Sequence, residues 1–232
     1  MTDDFLRIGH RGAPRLAQEN TLDSFRRALE AGLDGLETDV QRTADGALVL
    51  HHDPVLRDGS FIAAQDAAAV LRLAPDVPSL ADLLLVMRDH PGARLNLEVK
   101  TAAPYDDSRA ADVSTALAGW PDDVVSRTWV STFDPLLLLS VHESLTMEGC
   151  DVPLAFLAAT DTSLRLLSAL PVAAVHPHHS LVNRERVRAW HAGGLKVYTW
   201  TVNEADVAQR MLDAGVDGII GDVPELLLGA RR

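Results

Sequence analysis

Several features that would indicate secretion or a membrane are absent from the 232-residue sequence. A single cysteine, Cys150, excludes a disulfide within the chain, and no apolar run approaches the ~20 residues of a membrane-spanning helix. The first residues, MTDDFLRIGH, lack the basic segment and the apolar stretch of a signal peptide. We therefore expect a cytoplasmic protein with no stable membrane insertion.

Positive charge is also scarce. The chain has 21 lysines and arginines against 33 aspartates and glutamates, a formal net charge of −12. A surface of this charge repels nucleic acid and anionic membranes, so neither is an expected partner. The sequence contains no G-x-S-x-G elbow, P-loop or G-x-G-x-x-G motif, which disfavours a serine hydrolase and a nucleotide- or dinucleotide-binding protein.

What the sequence does contain is a regular alternation of short apolar runs and helical patterns, typical of an α/β protein. Nine runs predict strands: RIGH (7–10), GLETDV (35–40), ALVLHH (47–52), RLNLEVK (94–100), VSRTWVS (125–131), PLAFLA (153–158), AAVHPH (173–178), KVYTWTV (196–202) and DGIIGD (217–222). Residues with N-cap chemistry precede the helical patterns at Asn20, Ser79, Asp134, Asp161, Asn183 and Asn203.

The Asp45-Gly46 pair decides how these strands are arranged. A short Asp-Gly connection makes an antiparallel hairpin, so 47–52 should fold back on the end of the second strand as a flap. The other eight strands predict a (β/α)8 TIM barrel with a short β-hairpin flap at its C-terminal mouth. No linker is visible, so we expect one domain over residues 1–232, with 54–78 as its longest irregular stretch.

Three acidic residues fall near the ends of two predicted strands. Side chains alternate along a strand, so Glu37 and Asp39 share one face, as do Glu98 and Lys100. The C-terminal ends of barrel strands carry active sites, where uncompensated carboxylates would repel one another. Taken singly, each acid fits a surface ion pair with a nearby arginine. As a set beside a lysine, they indicate a site for a hard divalent cation such as Mg²⁺ or Ca²⁺.

Two histidines are expected at the same mouth, because His10 ends the first strand and His52 is carried by the flap. With an ordinary pKa of about 6.5, one can be neutral and the other charged near neutral pH, as an acid–base pair requires. Arg11 and Lys100 can hold an anionic oxygen. Together with a metal, these groups describe phosphodiester cleavage.

The ordered motifs GHRGAPRLAQENTLDSF, GLETDV, VLHHD, LNLEVK and VYTWTVNEADVAQRMLDAGVDGIIGDVP resemble the glycerophosphodiester phosphodiesterase family, of the bacterial single-domain type, over nearly the whole chain. The resemblance implies a barrel that hydrolyses small-molecule glycerophosphodiesters to sn-glycerol 3-phosphate and an alcohol. It also implies one divalent cation: Mg²⁺, Ca²⁺ or Mn²⁺. First attack by a neighbouring substrate hydroxyl, giving a cyclic phosphate, and direct attack by water both stay open.

The resemblance also implies a role for each site residue. The catalytic residues would be His10 and His52, the metal ligands would be Glu37, Asp39 and Glu98, and the substrate would be bound by Arg11, Lys100 and Trp200. Glu19 and Asn20 are expected to hold their loop, and Asp53 to orient His52 or to cap the turn.

Some segments depart from the family pattern. Gln18 stands where the family usually has proline, and LRDGS follows His52-Asp53 where an Arg-Thr-Thr-like run is usual. VPSLADL lacks an expected acid pair, and GDVP replaces TDYP. The chemical residues are untouched, and the altered loops border the alcohol side of the pocket, so we expect an effect on substrate preference.

Other functions fit parts of the sequence. An amidohydrolase-like barrel would bind zinc through His176, His178 and Asp222, but it expects a His-x-His pair on the first strand; otherwise these two histidines should form a polar pocket wall. A barrel that binds glycerophosphoryl groups without turnover would lack a key residue, and none is missing. A sphingomyelin-cleaving relative would need a membrane-facing apolar loop. A requirement for Mg²⁺ or Ca²⁺ rather than tight zinc separates the phosphodiesterase from the amidohydrolase.

Overall fold

Parallel strands close into a barrel with helices on the outside. The computed structural model describes residues 5–101 and 108–230, and all statements below concern these residues. The strands are β1 (Leu6–Gly9), β2 (Gly35–Arg42), β3 (Leu48–Leu50), β4 (Arg94–Val99), β5 (Thr128–Thr132), β6 (Leu154–Ala158), β7 (Ala174–Pro177), β8 (Lys196–Thr199) and β9 (Gly218–Gly221). Parallel pairing runs in the order β1-β9-β8-β7-β6-β5-β4-β2, and β1 also pairs with β2. This closed circuit of eight strands confirms the predicted (β/α)8 barrel.

The helices connect the strands along the outer surface. They are α1 (Leu22–Glu30), α2 (Ala67–Leu73), α3 (Leu80–Asp89), α4 (Ser108–Ala118), α5 (Asp122–Val125), α6 (Pro135–Glu148), α7 (Asp161–Leu164), α8 (Arg184–Ala192), α9 (Ala205–Ala214) and α10 (Pro224–Gly229). Short 3-10 turns add Ile62–Ala64, Leu167–Ala169 and His179–Leu181. The main hydrophobic core lies between these helices and the strands, and a smaller one fills the barrel interior around Ile8, Trp129 and Ile220.

The predicted hairpin flap is also confirmed. β3 runs antiparallel to the end of β2, with Val40 opposite Leu50 and Arg42 opposite Leu48. Gly46 adopts a φ of 88°, which explains the glycine in this turn. Because β2 is the only strand with which β3 pairs in the described residues, β3 stays outside the barrel circuit and carries the next residues back toward the mouth.

Helix starts follow the cap predictions only in part. Ser79 forms a capping box with Asp82, and Asp134 and Asn183 cap α6 and α8 as predicted. The prediction of a helix beginning at Asp161 is confirmed, but its cap is the preceding residue, Thr160.

Two cap predictions are wrong. Asn20 does not cap α1, because Thr21 does, and Asn203 does not cap α9, which begins after Glu204. Both asparagines direct their side chains into the strand ends instead, toward Asp39 and Asp222 respectively. An asparagine before a helical pattern favours a helix cap when only the local sequence is considered. In the folded chain each asparagine instead bonds an aspartate 19 positions away.

The stretch 54–78, predicted to be irregular, contains the 3-10 turn Ile62–Ala64 and α2. Asp66 caps α2 by accepting a hydrogen bond from the backbone N–H of Ala69 at 2.6 Å. Ile62 and Val70 pack with Val49 of the flap in a separate small core. Burial of these apolar side chains fixes the flap against the segment 54–78.

Candidate active site

A cavity of about 280 Å³ lies at the carboxyl ends of the strands. It is lined by His10, Arg11, Glu37, His52, Asn96, Glu98, Lys100, Phe133, Leu157, Trp200, Thr201 and Ile220. Every residue predicted for the site lines it except Asp39, which is 1% exposed and joined to the set through Lys100. The structure therefore brings the predicted residues together.

Three carboxylates cluster at this cavity, and two of them, Glu37 and Glu98, line it. Glu37, Asp39 and Glu98 are all buried, and each offers an oxygen within 4.8 Å of the other two. The strand register explains the cluster: Asp39 of β2 lies beside Glu98 of β4, and Glu37 lies two residues earlier on the same face. Because hard divalent cations prefer such oxygen donors, this buried acidic triad could bind one.

The electrostatics of the triad fit a bound cation. Burial raises the pKa of Glu37 to about 8, and the neighbouring negative charge of Asp39 adds to the effect. Burial likewise raises the pKa of Glu98. Among the described residues, Oε1 of Glu37 is buried and has no hydrogen-bond partner. A cation at this point would give that oxygen a partner and would favour the ionised form of all three acids.

The two predicted phosphate-binding residues already contact the acids. Lys100 Nζ lies 2.8 Å from Asp39 Oδ1 and also donates to Glu98. Arg11 Nε lies 3.2 Å from Asp39 Oδ2, and its Nη1 donates to Glu19 at 2.9 Å. Burial alone would raise the pKa of Asp39, but these two cations bring it below its ordinary value.

His10 is held by a chain of partners that the sequence analysis missed. Its Nδ1 lies 2.7 Å from Asp222 Oδ1, while Asn203 Nδ2 donates to Asp222 Oδ2 at 2.5 Å. Burial alone would lower the pKa of His10, but the hydrogen bond to Asp222 and the charge of Glu37 raise it overall. Asp222 lies in the motif GDVP at the end of the last predicted strand, and this position could have identified it as a site residue. The sequence analysis assigned it only to the alternative zinc site.

His52, which follows the flap strand β3, also lines the cavity. Its Nδ1 lies 2.8 Å from Asp53 Oδ1, so Asp53 orients the ring, and Gln41 Nε2 donates to the backbone oxygen of His52 at 3.0 Å. Partial burial and the charge of Lys100 lower the pKa of His52. The neighbouring His51 does not line this cavity; its Nδ1 bonds to the backbone oxygen of Asp53.

Asn20 anchors the loop after β1 to strand β2. Its amide Nδ2 donates to Asp39 Oδ2 at 2.8 Å, and its Oδ1 accepts from Thr38 at 2.7 Å. Arg11 and Asn20 both have a φ of 55°, in the left-handed region that few residues other than glycine adopt. The prediction that Asn20 holds its loop agrees with these contacts, which also orient Asp39.

An apolar wall completes the cavity. Trp200 donates from Nε1 to the backbone oxygen of His176 at 2.8 Å, and Phe133 meets the Trp200 ring edge-to-face at 5.4 Å. Leu157 and Ile220 extend the same wall. Phe133 was missed by the sequence analysis, because it is the first residue after β5 and carries no polar signature. The wall can cover the carbon atoms of a small ligand and exclude water.

The alternative zinc site is not formed in the part of the chain that the structure describes. His176 is fully buried, edge-to-face against the rings of Trp129 and Tyr198, and burial lowers its pKa to about 3. His178 bonds to Ser180. Neither histidine lines the cavity, so the expectation of a polar pocket wall is also wrong.

The C-terminal mouth of this parallel barrel combines buried carboxylates, an arginine, a lysine and two histidines. These are the groups of a phosphoryl-transfer site. The model of the glycerophosphoryl diester phosphodiesterase family matches residues 10–226, and the chain belongs to this family. Its homologues establish it as a phosphoric diester hydrolase.

Individual relatives match over most of their length. The chain is 26% identical to the glycerophosphodiester phosphodiesterase of Caldanaerobacter subterraneus, with 97% of each chain covered. It is 26% identical to the enzyme of the same name from Bacillus altitudinis, again with 97% of each covered. Among solved structures, a phosphodiesterase of Oleispira antarctica in complex with its product sn-glycerol-3-phosphate has a TM-score of 0.86 and 26% identity, covering 96% of this chain and 95% of that one.

The helices give no sign of a membrane span. In residues 5–101 and 108–230, none combines the length with the apolar character needed to cross a bilayer.

Proposed function

We propose that residues 1–232 form one catalytic domain that hydrolyses glycerophosphodiesters to sn-glycerol 3-phosphate and an alcohol. The observation that carries this proposal is the convergence of His10 and His52, from different elements, on the cavity above the acidic triad. The Oleispira antarctica relative, bound to sn-glycerol-3-phosphate, supports the same substrate class. A location in the cytoplasm stays a prediction.

Glu37, Asp39 and Glu98 would hold one divalent cation, Mg²⁺ or Ca²⁺, with Mn²⁺ as a third choice. When bound, the cation supplies positive charge that neutralises the phosphate and the charge developing in the transition state. Lys100 and Arg11 lie beside the triad and would contact the phosphate oxygens, which allows an anion to enter a strongly acidic protein.

The two histidines would move the protons. Asp222 holds His10 and stabilises the imidazolium that forms when His10 takes a proton from the attacking hydroxyl, so His10 is assigned as the general base. His52 donates Nδ1–H to Asp53, which leaves Nε2 to protonate the leaving oxygen. The raised pKa of His10 makes it the stronger acceptor, and the lowered pKa of His52 makes it the stronger donor.

The apolar wall would position the substrate. Trp200 and Phe133 present ring surfaces to the cavity, where the carbon atoms of the glyceryl group can pack. This arrangement leaves the phosphate facing the triad and the cations.

The direct test is release of sn-glycerol 3-phosphate from glycerophosphocholine, glycerophosphoethanolamine and glycerophosphoglycerol, with Mg²⁺ or Ca²⁺ and with EDTA. We expect release that EDTA abolishes. Release unaffected by EDTA would contradict the metal site, and no release under any cation would contradict the proposed substrate class.

A further inference from the structure

A second cavity, of about 310 Å³, adjoins the candidate active site. It lies between two loops, at residues 18–20 after β1 and at 51–53 and 55–57 after the flap. His52 lines both cavities, so the two cavities meet at this residue. A group that extends past His52 from the first cavity therefore enters the second.

The two carboxylates of the second cavity pair with active-site residues. Glu19 pairs with Arg11 at 2.9 Å, and Asp53 pairs with His52 at 2.8 Å. Asn20 donates to Asp39 at 2.8 Å. A ligand in this cavity would consequently touch the same groups that orient the proposed catalytic and metal-binding side chains.

We propose that the second cavity is the subsite for the leaving alcohol and that it selects alcohols carrying several hydroxyl groups. The proposal rests on the proposed function. In the hydrolysis, the attacking oxygen forms a bond to phosphorus, the bond from phosphorus to the alcohol oxygen breaks, and that oxygen receives a proton. If His52 gives this proton, the alcohol must lie next to His52, and the second cavity is the adjoining space.

The composition of the cavity points to a polyol. Glu19 and Asp53 are acceptors, and the guanidinium of Arg57 is a donor, so a hydroxyl group, which both donates and accepts, can be satisfied here. In the described part of the chain, neither Arg57 nor Gln18 uses its side chain in a hydrogen bond or ion pair, and both are exposed. Their polar groups are therefore available to a ligand.

The same composition disfavours a choline group. A quaternary ammonium has no N–H to donate and is recognised by aromatic faces. Of the residues that line the second cavity, none is phenylalanine, tyrosine or tryptophan.

The test compares glycerophosphoglycerol with glycerophosphocholine for the full chain with saturating Mg²⁺. We expect a higher kcat/KM for glycerophosphoglycerol. Arg57→Ala should reduce the ratio of the two kcat/KM values by about tenfold, the effect of one lost hydrogen bond to a charged group, with the glycerophosphocholine value little changed. Gln18→Ala should shift the ratio in the same direction, and Arg72→Ala, an exposed arginine of α2, is the matched control.

Each outcome separates this proposal from the function on which it rests. Hydrolysis of both substrates without a preference for glycerophosphoglycerol, or an equal loss on both in Arg57→Ala, would overturn the subsite and leave the phosphodiesterase activity standing. Hydrolysis of neither substrate, with Mg²⁺, Ca²⁺ or Mn²⁺, would overturn the proposed function and the subsite with it.

Discussion

His10 Nδ1 and Asp222 Oδ1 lie 2.7 Å apart although 212 positions separate them in the chain. The contact exists because β1 and β9 are neighbours in the closed barrel, with Gly9 beside Gly221. An aspartate in this position sets both the orientation and the proton affinity of the histidine.

Asp222→Asn should lower the pKa of His10 toward or below its ordinary value, because the variant loses a carboxylate that raises it. In the wild-type enzyme the pKa of His10 is raised and that of His52 is lowered, so His10 has the higher of the two pKa values in a bell-shaped profile of kcat/KM. This higher value sets the alkaline limb of the profile, and in the variant His10 is a weaker base. We expect the alkaline limb to move to lower pH, with a reduced maximum, in a pH profile with glycerophosphoglycerol as substrate. An unmoved alkaline limb would show that His10 does not titrate in this range.

His52→Ala should reduce kcat by roughly 10²–10⁴-fold, the usual contribution of a positioned general acid. The ring is part-exposed on the flap, so the fold should survive, as circular dichroism can check. His142→Ala, at an exposed histidine of α6, serves as the control. A His52→Ala enzyme with wild-type kcat would exclude the role.

Glu37→Gln should abolish the rise in Tm that Mg²⁺ or Ca²⁺ gives the wild-type protein, since a ligand that binds only the folded state stabilises it. Without added cation the variant should be about as stable as wild type near pH 7, because the pKa of about 8 already favours the neutral acid. Asp206→Asn, on the exposed side of α9, should keep the full cation response. An identical response in Glu37→Gln would show that this side chain is not a ligand.

Arg127→Met should lower the free energy of unfolding by about 3 kcal/mol, because buried carbonyl groups lose charged hydrogen-bond donors. The guanidinium donates to Met87 O at 2.6 Å, Ala93 O at 2.7 Å and His90 O at 3.1 Å, tying the end of α3 to the start of β5. Urea unfolding measures the loss, and the exposed Arg88→Met should show almost none. Since Arg127 precedes β5, at the end of the barrel away from the site, kcat should be retained.

The barrel and the acidic triad could be predicted from the sequence because both follow from the alternation of side chains along strands. Glu37, Asp39 and Glu98 need only the correct face and the correct neighbours, which β2 and β4 provide. The hairpin at Gly46 followed from turn chemistry in the same way.

The contacts that depend on barrel closure could not be predicted. Asn20 and Asn203 have the chemistry of helix caps, and nothing nearby in the sequence shows that each bonds an aspartate on a strand end. Phe133 of the apolar wall could not be predicted for a different reason. An apolar residue after a strand is most often part of the hydrophobic core. Its exposure of 38% beside Trp200 becomes visible only in three dimensions.

The pairing of β1 with β9 has a consequence for biosynthesis. During synthesis His10 leaves the ribosome 212 residues before Asp222, which directly follows β9. A nascent chain can assemble the triad once β2 and β4 have emerged, yet its His10 lacks the Asp222 partner until β9 has followed them. The His10–Asp222 pair therefore forms only when the barrel closes. A product truncated before β9 would retain the proposed metal ligands but would lack this pair.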